Sequence, residues 1–510
     1  MSDAAPLSRH PEGSLRELLT VALPLMISTG SHSVMIFCDR LFLTRVGKAE
    51  LGAALSGGIV QWSLLAIPLG TLGYASTFVS QYVGAGDDRG ARAAVWQSFW
   101  MGLVTGCLLL TAVPAAGWIF DRFDHPPTLR QMEAQYFAIL LFAGLPRLAI
   151  GAFFCHYAGR GRTTVPMLAG LVGNAANIAI SYTLIFGKAG LPAMGLAGAA
   201  WGTVIASVFE LIFYGLYIVA RERETLPLWW QTRAFQPRLA GRLISFGLPS
   251  GLQMASDAFT ISIALLLIGN LGEDAMAATT LTFSLNAIVF VPLIGLGMAV
   301  GTIVGHRIGA ERPKLARRSV RLACLIGFAM MGTFALACVV APDLVLWPYD
   351  AYGREEFLEV RPTVVTLLRY LAAFALFDTL AVLMGFAIRG AGDTRFSLWL
   401  LVFTGWGLLV APLWTLAKTE RLTLDLCWLT LTAVIAVQGV AFTLRYLGGK
   451  WESMSVREPE PFPPGLASER VAPRDDTAAP DATSPTASPL AGDEPTEPAA
   501  QPSDPKNGEG

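Results

Sequence analysis

Charge is what this chain lacks most. Only 15% of its 510 residues are Asp, Glu, Lys or Arg and 53% are hydrophobic, where a soluble globular protein has roughly 25% charged residues. The mean hydropathy is positive, and an ordinary cytosolic enzyme is excluded. The apolar stretches hold no His/Asp cluster, no Ser/Lys pair and no metal-ligand spacing, so a membrane-embedded enzyme has no constellation to work with. The six cysteines (Cys38, Cys107, Cys155, Cys324, Cys338, Cys427) all fall inside those stretches without motif spacing; they read as small buried thiols rather than disulfides or metal ligands. The opening segment has no short apolar core followed by a small-residue cleavage site, so it reads as a first span rather than a secretory signal.

What is present is hydrophobic length. About twelve stretches approach the roughly 20 residues a bilayer needs, near 17–43, 52–80, 93–119, 134–158, 165–187, 194–220, 243–268, 276–305, 319–341, 362–388, 396–416 and 425–445. Lys and Arg sort between the two sides, 21 against 9. Translocated loops are poor in these residues, so both termini are expected in the cytoplasm.

The chain is also duplicated. Pro24, Gly47 and Gly84 recur as Pro249, Gly272 and Gly309, each 225 residues on (249 − 24, 272 − 47, 309 − 84), and Val83-Gly84-Ala85 is echoed by Ile308-Gly309-Ala310. Six spans per half is an even number, so the halves share one orientation as a parallel repeat. The reading is an all-α membrane protein with a cytoplasmic N-terminus over 1–16, an N-lobe over 17–220, an Arg-rich linker over 221–242 and a C-lobe over 243–448. Residues 449–510 form the remainder; from 452 on they hold 12 of the 31 prolines and 12 acidic against 4 basic residues. That composition buries no core and reads as a disordered cytoplasmic tail.

Three acids lie within membrane-length segments: Asp39, Asp257 and Asp378. Asp257 stands 15 residues from Arg242 and 16 from Glu273, close to mid-span, and Asp378 is similarly placed between Arg361 and Arg389. An ionised carboxylate there costs several kcal/mol unless paired. Each acid is therefore either fixed in an ion pair or hydrogen bond, or holds a proton or cation for part of a cycle. Gln253 is one helical turn from Asp257 on the same face and can supply a neutral ligand. On the fifth span Asn174, Asn177 and Ser181 form one polar stripe, which must face protein rather than lipid.

Read in order, several motifs resemble the multidrug and toxic compound extrusion (MATE) family, in particular its NorM-like subgroup. They are Ala22-Leu23-Pro24 with Asp39 and Val46-Gly47; Pro68-Leu69-Gly70 through Val79-Ser80-Gln81 to Gly84-Ala85-Gly86-Asp87; Gly161 to Met167 with Asn174, Asn177 and Leu184 to Gly187; and Arg389 to Thr394. The resemblance covers about residues 15 to 448. It implies two six-helix lobes forming a V around a central cavity in a bacterial-type inner membrane. It further implies export of organic cations or other amphiphiles driven by inward H⁺ or Na⁺, with no organic cofactor, no nucleic-acid partner and a monomer among membrane lipid. Asp257 and Asp378 would then form the C-lobe cation site, including Na⁺ if that is the coupling ion, although the subgroup usually has Glu where Asp257 stands. Asp39 matches the acid of the family's N-lobe; Ser181 stands where the family commonly has Asn or Asp, which removes a second acid there. A lipid-linked precursor flippase would share the topology, but the acids argue against an anionic headgroup as substrate.

The two halves differ in charge. His32 is the repeat mate of Asp257 (257 − 225), and Arg147 is the mate of Asp378 through the Gly161 and Gly392 anchors (offset 231). His32 is either a satisfied core residue or a partner of Asp39, two turns away. Arg147 either pairs with Asp39 or Glu210 or contacts an anionic group of a substrate. Pro24, Pro68, Pro146, Pro249 and Pro292 remove backbone hydrogen bonds inside spans, and each is a candidate bend; Pro24 is placed to couple Asp39 to the shape of the first helix.

Overall fold

The computed structural model describes residues 7, 9–123, 125–352 and 355–457, which are helical and contain no strand. By internal contacts the chain divides at Glu458, and the second unit, Pro459–Gly510, lies outside the described residues. Eleven helices are long and apolar enough to cross a membrane, or twelve if Pro127–Phe142 and Gly144–Gly159 count as one bent span. We number these α1 Leu15–Thr44, α2 Lys48–Gly84, α3 Asp88–Phe120, α4 Pro127–Phe142 with Gly144–Gly159, α5 Thr164–Phe186 and α6 Gly195–Arg221. The second half continues with α7 Pro237–Gly269, α8 Glu273–Gly309, α9 Pro313–Val340, α10 Glu359–Ala391, α11 Thr394–Lys418 and α12 Leu424–Leu447.

Helix boundaries follow local chemistry. Ser14 Oγ accepts from Glu17 N at 3.2 Å and Asp87 Oδ1 from Gly90 N at 2.8 Å, side-chain caps that satisfy first-turn donors. Pro237 and Pro313 open α7 and α9, where a missing N–H costs nothing. Of the candidate bends, Pro146 marks a real break: its ring would collide with the carbonyl of Phe142, four residues back, and α4 bends by 42° between the two. The helices run on through Pro24, Pro68, Pro249 and Pro292. Large apolar side chains cover the outside, among them Leu216 (65% exposed), Ile288 (68%) and Leu325 (67%), as expected of surfaces solvated by lipid.

The lobes meet through α1 on α8, α2 on α7, and the end of α2 on α8. At these crossings glycine lets backbones touch, and the contacts repeat with the offset of 225. A Cβ on Gly70 would lie 2.7 Å from Gly251 Cα, and one on its mate Gly295 would lie 2.7 Å from Met26 Cα, the mate of Gly251 (295 − 70 = 251 − 26 = 225). The duplication legible in the sequence is thus a pseudo-twofold between the lobes.

The end of the bundle that carries most of the Lys and Arg is sealed by both ends of the described chain. On one side Arg307, only 1% exposed, pairs with Glu17 at 2.5 Å and Glu12 at 2.8 Å, joining α8 to α1. On the other, Gln81 of α2 donates to Gly390 O at 3.2 Å and Ala391 O at 3.1 Å while its Oε1 accepts from Val456 N at 2.9 Å. The expected disordered tail therefore begins too early at 449. Trp451 and Val456 are buried, Lys450–Ser453 form a helical turn and Arg242 donates to Val456 O. Trp451 and Val456 supply the apolar anchors of this stretch, whereas the sequence beyond is dominated by Pro, Ala, Ser, Thr and acids. The remainder of the expected tail lies outside the described residues.

Candidate functional site

In the N-lobe the polar stripe of α5 faces α1, as lipid avoidance requires. Asn174 Nδ2 donates to Ser31 Oγ at 2.8 Å. Asn177 is fully buried, and its amide orientation is fixed by its neighbours. With the nitrogen toward Asp39 it donates to both carboxylate oxygens at 3.1 Å while its oxygen accepts from Thr203 Oγ1 at 3.2 Å; the reverse would press two oxygens on Asp39 together. Ser181, also buried, lies beside the same carboxylate. Asp39 is thus held by the neutral Asn177 amide of α5.

Next to it a cavity of about 230 Å³ is lined by His32, Arg147, Asn174, Asn177, Thr203 and Glu210, among others. His32 is exposed to this space rather than packed in a core, with Asn174 beside it. Arg147 makes no ion pair within 4.0 Å to Asp39 or Glu210 among the described residues, so the close pair expected of it is not formed. Glu210 is nevertheless the opposite charge that acts on it most strongly, ahead of Asp39. Both charges line the same cavity without closing on each other.

The C-lobe is different in kind. Asp257 on α7 has Gln253 beside it, one turn away, and Arg389 of α10 is the charge that acts on it. Asp378 on α10 is 4% exposed, no charged group acts on it, and its Oδ2 has no hydrogen-bond partner among the described residues. The two acids lie in the same lobe, on α7 and α10. Gln253 Oε1 and Asn286 Oδ1 are likewise buried without a donor. Every carboxylate or amide oxygen orphaned in this way among the described residues lies in this lobe, on α7, α8 and α10. Acceptors without donors suit a proton or a small cation. No group of three or more His, Cys, Asp or Glu is placed to hold a metal among the described residues, so any ion here takes neutral oxygens as well.

Several participants were not singled out from the sequence. Thr203 and Asn286 are polar residues inside spans, a signal that was available. Arg389 looks like a loop-facing charge in the sequence yet acts on Asp257 from the last turn of α10. Most hidden is a π-helical stretch in α11, Phe403–Val410, where Trp406 Nε1 donates to Ser256 Oγ at 3.0 Å, next to Asp257 in sequence. Such stretches gather at functional sites; only Gly405 and Gly407 within a span hint at it.

Comparisons with known proteins agree with this architecture. A family model described as MatE matches residues 24–183 and 249–413, two segments whose starts lie 225 residues apart. The chain is 31% identical over 444 residues to the multidrug resistance protein PmpM of Pseudomonas aeruginosa, covering 82% of this chain and 88% of that one. It is 30% identical over 400 residues to the probable multidrug resistance protein NorM of Xanthomonas campestris pv. campestris, covering 76% and 84%. Among solved structures it superposes on the outward-facing conformation of a multidrug resistance MATE family transporter of the MOP superfamily, with TM-score 0.78, 18% identity, and 89% and 100% of the two chains covered. A MOP superfamily transporter from Pyrococcus furiosus gives TM-score 0.76 at 20% identity, with 87% and 97% covered.

Proposed function

The chain belongs to the multidrug and toxic compound extrusion family, and on that premise we propose that it exports organic cations or other amphiphiles across the membrane in exchange for H⁺ or Na⁺. The observation that carries the reading is the set of donor-less oxygens in the C-lobe, Asp378 Oδ2, Gln253 Oε1 and Asn286 Oδ1, with Asp257 beside Gln253. A buried carboxylate with no counter-ion is stable only when it holds a proton or a cation. An organic cation and the coupling ion then compete for the same acids. Whichever binds neutralises the site and permits the lobes to rock about the glycine crossings, so one species leaves as the other enters.

Arg389 tunes Asp257 without satisfying Asp378, which makes Asp378 the acid most dependent on an incoming cation. The N-lobe supports a second role. Asp39 is held by Asn177, and the adjoining cavity carries Arg147 as well as Glu210 and His32, so one guanidinium is shared between two carboxylates without closely pairing with either. The basic end of the bundle is the cytoplasmic one in this reading, with both termini inside. That end is sealed by Arg307 and Gln81, and the state described is closed toward the cytoplasm. The membrane potential adds about 2.3 kcal/mol per net charge per 100 mV, enough to drive uphill export. Asp257→Asn or Asp378→Asn is expected to abolish coupled export with expression and insertion unchanged; wild-type efflux in either variant overturns the assignment.

A further inference from the structure

A second cavity, of about 480 Å³, opens at the basic end of the N-lobe among the ends of α3, α4 and α6. Five arginines line it, Arg92, Arg160, Arg162, Arg221 and Arg223, against the carboxylates of Asp88, Glu222 and Glu224. The carboxylates do not satisfy the arginines. Arg92 is 3% exposed and reaches Asp88 only through Nη2, at a long 3.5 Å, while its Nε and Nη1 have no partner among the described residues. Arg160 Nη1 donates to Asp88 at 2.8 Å, leaving Nε and Nη2 without partners. His156, 1% exposed, presents an unpartnered Nδ1.

Of the other two acids at the wall, Glu224 is exposed and Glu222 is already engaged. Glu222 accepts from Trp229 Nε1 at 3.3 Å and faces Arg162 at 3.6 Å. Trp229 in turn lies against both buried side chains: the Arg92 guanidinium carbon is 5.3 Å from its ring centre and the His156 ring 4.6 Å. This packing holds Arg92 and His156 in place. Buried guanidinium N–H groups left without acceptors are costly, and four unpartnered nitrogens, two on each of two planar forks, call for an acceptor with several oxygens on one centre.

We propose that this cavity binds a phosphate group, carried by an anionic lipid headgroup or by a phosphate-bearing solute, with Arg92 and Arg160 as principal donors and His156 as a third. Asp88 is the internal competitor for both arginines. The site lies apart from the acids assigned to transport, and its test does not depend on them.

The test is thermal unfolding of the full chain in neutral detergent at constant ionic strength. It is titrated with dioctanoyl-phosphatidylglycerol, with inorganic phosphate, and with phosphate-free dioctanoylglycerol as the control. A saturable rise in Tm with phosphatidylglycerol alone assigns the site to lipid headgroups; a rise with inorganic phosphate as well assigns it to the phosphate group itself. Arg92→Gln and Arg160→Gln are each expected to weaken the response about tenfold or more. Asp88→Asn, which frees both guanidiniums, is expected to strengthen it several-fold, a gain that misfolding does not produce. The proposal is overturned if neither phosphate compound raises Tm above the control, if the folded arginine variants respond like wild type, or if Asp88→Asn weakens the response.

Discussion

Gly84 and Gly309, repeat mates 225 residues apart, each press against the other's helix: a Cβ on Gly84 would collide with His306 O, and one on Gly309 with Gln81 O. His306 and Gln81 are themselves mates at the same offset. The contact therefore crosses itself at the pseudo-twofold and sets how closely α2 and α8 approach at the basic end. Gly84→Ala and Gly309→Ala are each expected to destabilise the protein by about 1–3 kcal/mol, as overpacking does, read as a lowered Tm. Gly73→Ala, at a helical glycine with nothing within 4 Å, is the silent control. Equal stability of all three would contradict the close approach.

Gln81 ties three parts of the chain together through one buried amide. Gln81→Ala leaves the Gly390 and Ala391 carbonyls and the Val456 N–H without their partner. The Val456 amide is then expected to exchange with deuterium at least about tenfold faster, since losing one such bond is worth roughly 1–3 kcal/mol. Peptide-resolved hydrogen exchange over 450–457 measures this; unchanged protection there would show that the segment is held by its other contacts, Trp451, Arg242 and Arg457 among them, without Gln81.

Two ion pairs at the same end are expected to behave oppositely. Glu17 and Arg307 are both 1% exposed, and Glu17→Gln removes one partner of a buried charge at a cost of about 3 kcal/mol. Arg317 is exposed to solvent and Glu452 half-buried, and Arg317→Gln is expected to leave Tm nearly unchanged. Acid adds a further contrast. Burial works against the charge on Glu12, but Arg307 and Arg312 overcome it and hold its carboxyl below its ordinary value of 4.5. A lowered acid contributes stability that is present above the unfolded value and lost as pH falls through the folded one. Tm should therefore gain nothing from Glu12 once pH drops well below 4.5, and Glu12→Gln should remove that part of the acid dependence.

The sequence carried the architecture because bilayer length and the repeat are both written in single residues. The spans near 165–187 and 425–445 match α5 and α12 to within a few residues, since lipid demands unbroken apolar length. The 225-residue offset proved to be a spatial symmetry because the glycines that define it sit where backbones touch. The polar stripe of Asn174, Asn177 and Ser181, and Asp257 with Gln253, follow from helical spacing alone; the contact of Asn177 with Asp39 on another helix does not. What escaped depends on contacts between distant segments. Arg307 and Arg92 look like loop charges until Glu17 and Trp229 are brought against them by tertiary packing. Nothing in the spacing of Arg147 and Glu210 says that a cavity separates their charges, and the π-helical turn beside Ser256 has no periodic signature. Val456 was assigned to the tail because its neighbours in sequence are Pro-rich and acidic, whereas its neighbours in space are Leu72, Tyr74 and Leu243.

The central claim is that Asp378 exchanges a coupling ion for an organic cation. It is tested most directly by dye movement in proteoliposomes under an imposed pH gradient and, separately, an imposed Na⁺ gradient. The account predicts uphill dye movement driven by at least one of the two gradients, lost in Asp378→Asn while the variant remains folded and inserted. Dye movement indifferent to both gradients, or equally coupled in Asp378→Asn, would contradict it.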